Sequence, residues 1–95
     1  MQETARTLGH RAHEIVSQGG LLLDVRTREE HADAHLPKSI NIPVQELGSG
    51  LIELADKNRA TVVYCRSGGR SAAATALLVS AGFTQVYDLG AMSNW

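Results

Sequence analysis

The stretch Thr61-Val62-Val63-Tyr64-Cys65-Arg66-Ser67-Gly68-Gly69-Arg70-Ser71 decides the fold, and the alanine-rich run from Ala72 to Ala81 completes it. Thr61 to Tyr64 are four strand-favouring residues bounded by polar turns. A glycine-containing turn follows, then a small-residue helix expected from Ser71, with Gly82 as a left-handed stop. A strand that feeds a helix through a short turn is the building unit of a parallel α/β sheet. In such sheets ligands collect at the carboxyl ends of the strands. Cys65, the only cysteine among 95 residues, stands at one of these ends.

The same alternation extends in both directions from this unit. Leu8, Ala12, Ile15 and Val16 share one helical face, and Gly19-Gly20 ends that helix. Leu21-Leu22-Leu23 leads into Asp24-Val25-Arg26, a buried-strand pattern whose last residues turn polar. Thr27 and Glu30 have the spacing of a capping box, which predicts a short helix to about Ala34, closed by Pro37. Ser39 to Ile42 reads as a short strand ended by Pro43. Val44, Leu47, Leu51 and Leu54 fall at helical spacing, with Gly48 and Gly50 expected to break or kink that helix. Gln85 to Asp88 is the last expected strand, and Leu89-Gly90 the start of an exit turn. Strands separated by helices imply mainly parallel pairing in one domain spanning residues 1–95.

Composition narrows the function classes. Hydrophobic residues make up 43% and aromatic residues 4%, so the core is aliphatic and rich in alanine. A net charge of −1 with both signs scattered along the chain argues against a nucleic-acid partner. The apolar runs are too short to span a bilayer, and the N-terminal residues lack a signal-peptide core. One cysteine allows no internal disulfide, and a free thiol suits a reducing cytoplasm best, although a processed secreted form stays open. With no apolar patch legible, monomer is the default.

A lone cysteine after a strand is most often a small buried hydrophobe. Here it shares seven residues with two arginines, two glycines and a helix start. Each of these features stabilises a sulfur anion. Gly68 and Gly69 can adopt positive φ, so that consecutive amides form an anion-binding nest. No lysine follows in a phosphate-loop pattern and no Gly-x-Gly-x-x-Gly occurs, so nucleotide binding is a poor reading.

The loop Cys65 to Ser71 resembles the active-site loop of single-domain rhodaneses, sulfurtransferases that carry sulfur as a cysteine persulfide. Leu22 to Arg26, Glu30, and His35 to Pro43 resemble the family's upstream signature, and Leu89-Gly90 with Trp95 its closing segment. The resemblance runs from about Leu8 onward. Departures fall at turns: Ala34 and Lys38-Ser39 stand where the family favours small residues, and Ala91 replaces a usual glycine. The chain also stops at Trp95, where relatives commonly continue for a short helix.

The resemblance implies a three-layer α/β/α domain with a small, mainly parallel sheet, and a double displacement through Cys65 without a cofactor. A small anionic sulfur donor such as thiosulfate would load Cys65, and cyanide, a low-molecular-weight thiol or a protein would accept the sulfur. Four residues, Arg66, Ser67, Gly68 and Gly69, separate Cys65 from Arg70. The related dual-specificity phosphatases have one more, so the shorter loop favours sulfur over phosphate or arsenate chemistry. A non-catalytic rhodanese-like binding module is the other alternative.

In this reading Arg70 closes the loop and supports the anion, Arg66 meets the donor, Ser67 offers a hydroxyl, and Ser71 caps the helix. Asp24 and Arg26 are supporting residues, read first as a structural ion pair tying the strand end to its turns. His31 and His35 have a zinc-compatible spacing, but Ala32 replaces the glutamate of a zincin and Pro37 cuts the helix, so no metal is expected. His35 is read as structural, His31 as exposed, and His10 and His13 as having no specific role.

Overall fold

The structure, a computed structural model, describes residues 5–50 and 56–95. Helix α1 (Ala5–Ser17) forms where apolar residues recur on one face. It ends ahead of Gly19, whose φ of +98° turns the chain. Gly20 is required by space, because a Cβ there would lie 2.5 Å from Ile15 Cγ2. Strand β1 (Leu21–Asp24) follows, and the Thr27/Glu30 capping box opens α2 (Arg28–Asp33). Strand β2 (Ile40–Asn41) leads to a 3₁₀ turn over Val44–Glu46 and the short helix α3 (Leu47–Gly50). The expected helical positions Leu51 and Leu54 lie outside the described residues. Strand β3 (Thr61–Cys65), helix α4 (Gly69–Ser80), strand β4 (Val86–Ala91) and a 3₁₀ turn over Met92–Asn94 complete the chain.

The strands form one sheet in the order β2-β1-β3-β4, with every pairing parallel. Leu22 pairs with Val62, and Asp24 with Tyr64. Because successive strand residues face opposite sides, the sheet separates two apolar layers. Leu23, Val63 and Cys65 pack with Ala74 and Leu78 of α4 and with Leu47. Leu22, Val62 and Tyr64 pack with Ala12 of α1, Leu36 and Leu89. Each fully buried leucine contributes about 2 kcal/mol through water exclusion. The result is the three-layer α/β/α sandwich expected from the sequence. No helix among the described residues is long and apolar enough to cross a membrane.

Helix α2 stops at Asp33, as expected of a helix to about Ala34: Ala34 is extended and its carbonyl accepts a 2.6 Å hydrogen bond from Arg26 Nη2. Two other boundaries differ from expectation. Strand β4 runs through Leu89-Gly90 instead of turning there. Its register jumps between Val63 and Tyr64, and Gly90 (φ +80°) donates its N–H to Asp88 Oδ1 at 2.9 Å, so the glycine marks a bulge. Helix α4 starts at Gly69, two residues before Ser71. Lys38, at one of the departures from the family pattern, takes φ +67°, a conformation that a glycine would adopt without strain.

Candidate active site

β3 delivers Cys65 to the carboxyl edge of the sheet, and Gly68 reverses the chain at φ +112°, one residue before α4 begins. No L side chain adopts that φ easily, which is the physical reason for glycine there. The tight reversal points the Gly68 N–H at Cys65 Sγ, 2.9 Å away. Ser71 is fully buried in the first turn of α4, and its hydroxyl donates to the Gly68 carbonyl at 3.0 Å. Ser71 therefore braces the loop from inside the helix; the N-cap position expected of it belongs to Gly68.

Cys65 is only 1% exposed, which by burial alone describes an inert core thiol. Its surroundings distinguish it. Burial pushes the Cys65 thiol up, but the Ser71 hydroxyl and the N–H groups of Ser71, Gly68 and Ser67 outweigh burial and bring it below the ordinary thiol value. These donors lie at the N-terminus of α4, whose dipole also favours an anion. Of the two loop arginines expected to share in this effect, Arg70 does so through its charge alone, while the groups that hydrogen-bond the sulfur are amides and a hydroxyl.

Arg70 occupies the first helical turn, where a cation is electrostatically disfavoured. Glu30 compensates: Nη1 and Nη2 of Arg70 donate to the two Glu30 carboxylate oxygens at 2.6 and 3.0 Å. The Glu30 carboxyl is held at about 2, first by Arg70 and then by the Thr27 N–H. Arg70 is raised above its ordinary value, first by Glu30 and to a smaller degree by the charge of Cys65. One side chain thus caps α2 and fastens the cysteine loop to it. Glu30 was legible from sequence as a cap; its bond to Arg70, forty residues away, leaves no local signal.

Arg66 is exposed and borders a cleft of about 410 Å³, lined also by Arg26, Glu30, Asp33, Met92 and Ser93. Cys65 is not in its lining, so the cleft adjoins the loop through Arg66.

Asp24 and Arg26 lie at the same edge of the sheet but serve another cluster. Asp24 is fully buried. It accepts from Arg26 N–H at 2.8 Å, Arg26 Nε at 3.0 Å, Arg26 Nη2 at 2.7 Å and His31 Nδ1 at 2.8 Å. The Tyr64 hydroxyl lies 3.0 Å from both Asp24 Oδ2 and Ser39 Oγ, and it accepts the Leu36 N–H at 3.1 Å. Burial pushes the Asp24 carboxyl up, while Arg26 and His31 pull it down to a net value below the ordinary one. This cluster ties β1 to α2, to the turn before β2 and, through Tyr64, to β3. Tyr64 belongs to the α1 side of the sheet and Cys65 to the α4 side, so the Asp24 carboxylate and the thiol serve opposite faces.

Two histidine readings change. His31 is half-buried on Asp24 rather than exposed, and His35 stacks on it with ring centroids 4.0 Å apart. His13 also has a specific role: its Nε2 lies 2.8 Å from the Trp95 carbonyl oxygen, and its ring packs on the indole at 3.7 Å. Among the described residues no group of three or more histidine, cysteine or acidic side chains has a metal-holding arrangement.

Comparison with known proteins agrees with this architecture. The family model for the Rhodanese-like domain matches residues 8–95. The chloroplastic thiosulfate sulfurtransferase 16 of Arabidopsis thaliana is 38% identical over 88% of this chain and 80% of its own length. The thiosulfate sulfurtransferase GlpE of Pseudomonas savastanoi pv. phaseolicola is 32% identical over 100% of this chain and 90% of its own. Among solved structures, the human single-domain sulfurtransferase TSTD1 aligns with a TM-score of 0.78 at 31% identity, covering 90% of this chain and 89% of that one. With sequence match, fold and loop in agreement over nearly its whole length, the chain belongs to the rhodanese-like domain family and is an enzyme of the sulfurtransferase type.

Proposed function

We propose that Cys65 carries sulfane sulfur as a persulfide between a small anionic donor, thiosulfate in the first instance, and a thiophilic acceptor. The observation that carries this reading is the ring of donors around Cys65 Sγ, with the Gly68 N–H at 2.9 Å. In the first half-reaction the Cys65 thiolate attacks the sulfane sulfur of thiosulfate. The sulfur–sulfur bond of the donor breaks, and sulfite leaves with the electron pair. The same amides then face the terminal sulfur of the persulfide, which is again an anion. If the lowered thiol is ionised at the working pH, this step requires no general base.

Arg66 meets the donor at the cleft mouth, and Arg70, anchored by Glu30, keeps the loop closed around the anion. Ser67 contributes its N–H. In the second half-reaction cyanide, a low-molecular-weight thiol or a protein takes the outer sulfur. A single free thiol suits a reducing compartment. Intact-mass analysis after thiosulfate exposure tests the reading. A one-sulfur adduct confined to Cys65 and discharged by cyanide is expected; a folded protein that never acquires the adduct overturns it.

A further inference from the structure

The cleft beside the cysteine loop has a charge pattern that thiosulfate chemistry does not explain. Of its charged lining residues, Arg26 is committed to Asp24 and the Ala34 carbonyl, and Glu30 to Arg70. Two remain, Arg66 and Asp33, both exposed, and among the described residues neither is held by a partner. The cleft therefore offers one available cation and one available anion, with Met92 and Ala34 as apolar surface and the Ser93 hydroxyl beside them.

Asp33 is also misplaced for helix stability. It is the last residue of α2, where the negative end of the dipole disfavours a carboxylate. Nor does it help a dianionic donor, which gains from Arg66 and is repelled by Asp33. A volume of about 410 Å³ exceeds what thiosulfate fills and falls within the range of small-molecule sites, roughly 300–1,000 Å³.

We propose that this cleft binds the sulfur acceptor and that the acceptor is a zwitterionic thiol, its carboxylate on Arg66 and its ammonium on Asp33. The proposal rests on the persulfide reading above and adds a substrate class to it. In the transfer step the acceptor thiol passes its proton to the anionic outer sulfur of the Cys65 persulfide, and the resulting acceptor thiolate attacks that sulfur. A new sulfur–sulfur bond forms on the acceptor, the bond to Cys65 Sγ breaks, and Cys65 leaves as the thiolate with the electron pair. The proton stays on the transferred sulfur, so no oxidant or reductant is consumed. Arg66 serves both half-reactions, first with the donor and then with the acceptor carboxylate, while Asp33 acts only on the acceptor. Asp33 is thus a specificity-determining residue rather than part of the sulfur chemistry.

The test uses the full chain, preloaded with thiosulfate and checked by mass for the Cys65 adduct. Discharge is then followed with four thiols: L-cysteine, N-acetyl-L-cysteine (no ammonium), cysteamine (no carboxylate) and 2-mercaptoethanol (neither). Comparing variant with wild type for each thiol cancels the thiols' intrinsic reactivities. Asp33→Asn should lower discharge by L-cysteine and cysteamine about three- to fivefold relative to 2-mercaptoethanol, the scale of one exposed ion pair. N-acetyl-L-cysteine should fall no more than 2-mercaptoethanol. Arg66→Gln should reverse the pattern, penalising the two carboxylate-bearing thiols. If Asp33→Asn changes all four thiols alike, or none, the zwitterion assignment is wrong while the persulfide stands. Failure of the wild-type protein to preload overturns both.

Discussion

The cysteine loop and the Asp24–Arg26 cluster occupy the carboxyl ends of neighbouring strands, and they are built in opposite ways. Around Asp24 each charge has its counter-charge and its hydrogen bonds, from Arg26, His31 and Tyr64, all on buried or half-buried side chains. Around Cys65 the donors converge on one sulfur that, among the described residues, has no cation hydrogen-bonded to it, and the loop beyond it is exposed at Arg66 and Ser67. A fully satisfied cluster holds its elements together and has nothing left to offer a ligand. A cluster of donors without a fixed anion can receive one. The two strand ends differ in residual bonding capacity, and that difference separates scaffold from chemistry.

Substitutions can break this contrast, beginning with the largest effect. Cys65→Ser should abolish thiosulfate-to-cyanide transfer while leaving the circular dichroism spectrum unchanged, since a hydroxyl fits among the same donors. Residual turnover well above background would place the chemistry elsewhere. Asp24→Ala should do the reverse. Leaving the Arg26 guanidinium buried without its partner costs about 3–5 kcal/mol in chemical denaturation, whereas turnover per folded molecule should fall far less. A stable Asp24→Ala protein with dead chemistry would erase the distinction.

Gly68→Ala should show the loop failing by strain alone. Among the described residues beyond its chain neighbours, no atom lies within 4 Å of the added Cβ, so the cost of about 1–2 kcal/mol comes from φ +112°. Turnover should drop with it, because the Gly68 N–H loses its aim at Sγ. Stability unchanged with turnover unchanged would show that the reversal is not needed.

Glu30→Gln should have the smallest effect at neutral pH, below about 1 kcal/mol, because the Glu30–Arg70 pair is partly exposed. Its signature is in the acid range. The folded-state value of Glu30 is depressed from 4.5 to about 2, so its stabilisation is present above the unfolded value and is lost as pH falls through that window. Wild type should therefore lose more stability than Glu30→Gln between about pH 5 and 2. Parallel curves would mean that Glu30 does not fasten the loop.

The chain shows why some of this was legible beforehand and some was not. The strands and α1 follow from local patterns, since the apolar runs at Leu21–Leu23 and Thr61–Tyr64 and the face Leu8-Ala12-Ile15-Val16 need no distant partner. The Thr27/Glu30 cap was visible for the same reason. The two ends of the cysteine turn were harder. Gly68 and Gly69 read alike as loop residues, yet only Gly68 leaves the helical region, and Gly69 opens α4. Leu89-Gly90 read as a turn because a glycine is as natural there as in a bulge, and only pairing with β3 decides between them. His31, His13 and Arg70 were misread or half-read for one reason. Their partners Asp24, Trp95 and Glu30 are brought to them by the fold, at separations where sequence spacing carries no information.

The central claim is that the loop holds Cys65 as a thiolate ready to accept sulfur, and the most direct measurement is the rate of Cys65 alkylation by iodoacetamide as a function of pH. The amide and Ser71 donors predict a midpoint clearly below the ordinary thiol value of roughly 8.5, shifted upward in Ser71→Ala. A midpoint at or above the ordinary value in the folded wild-type protein would contradict the account, leaving Cys65 a buried thiol that the loop merely surrounds.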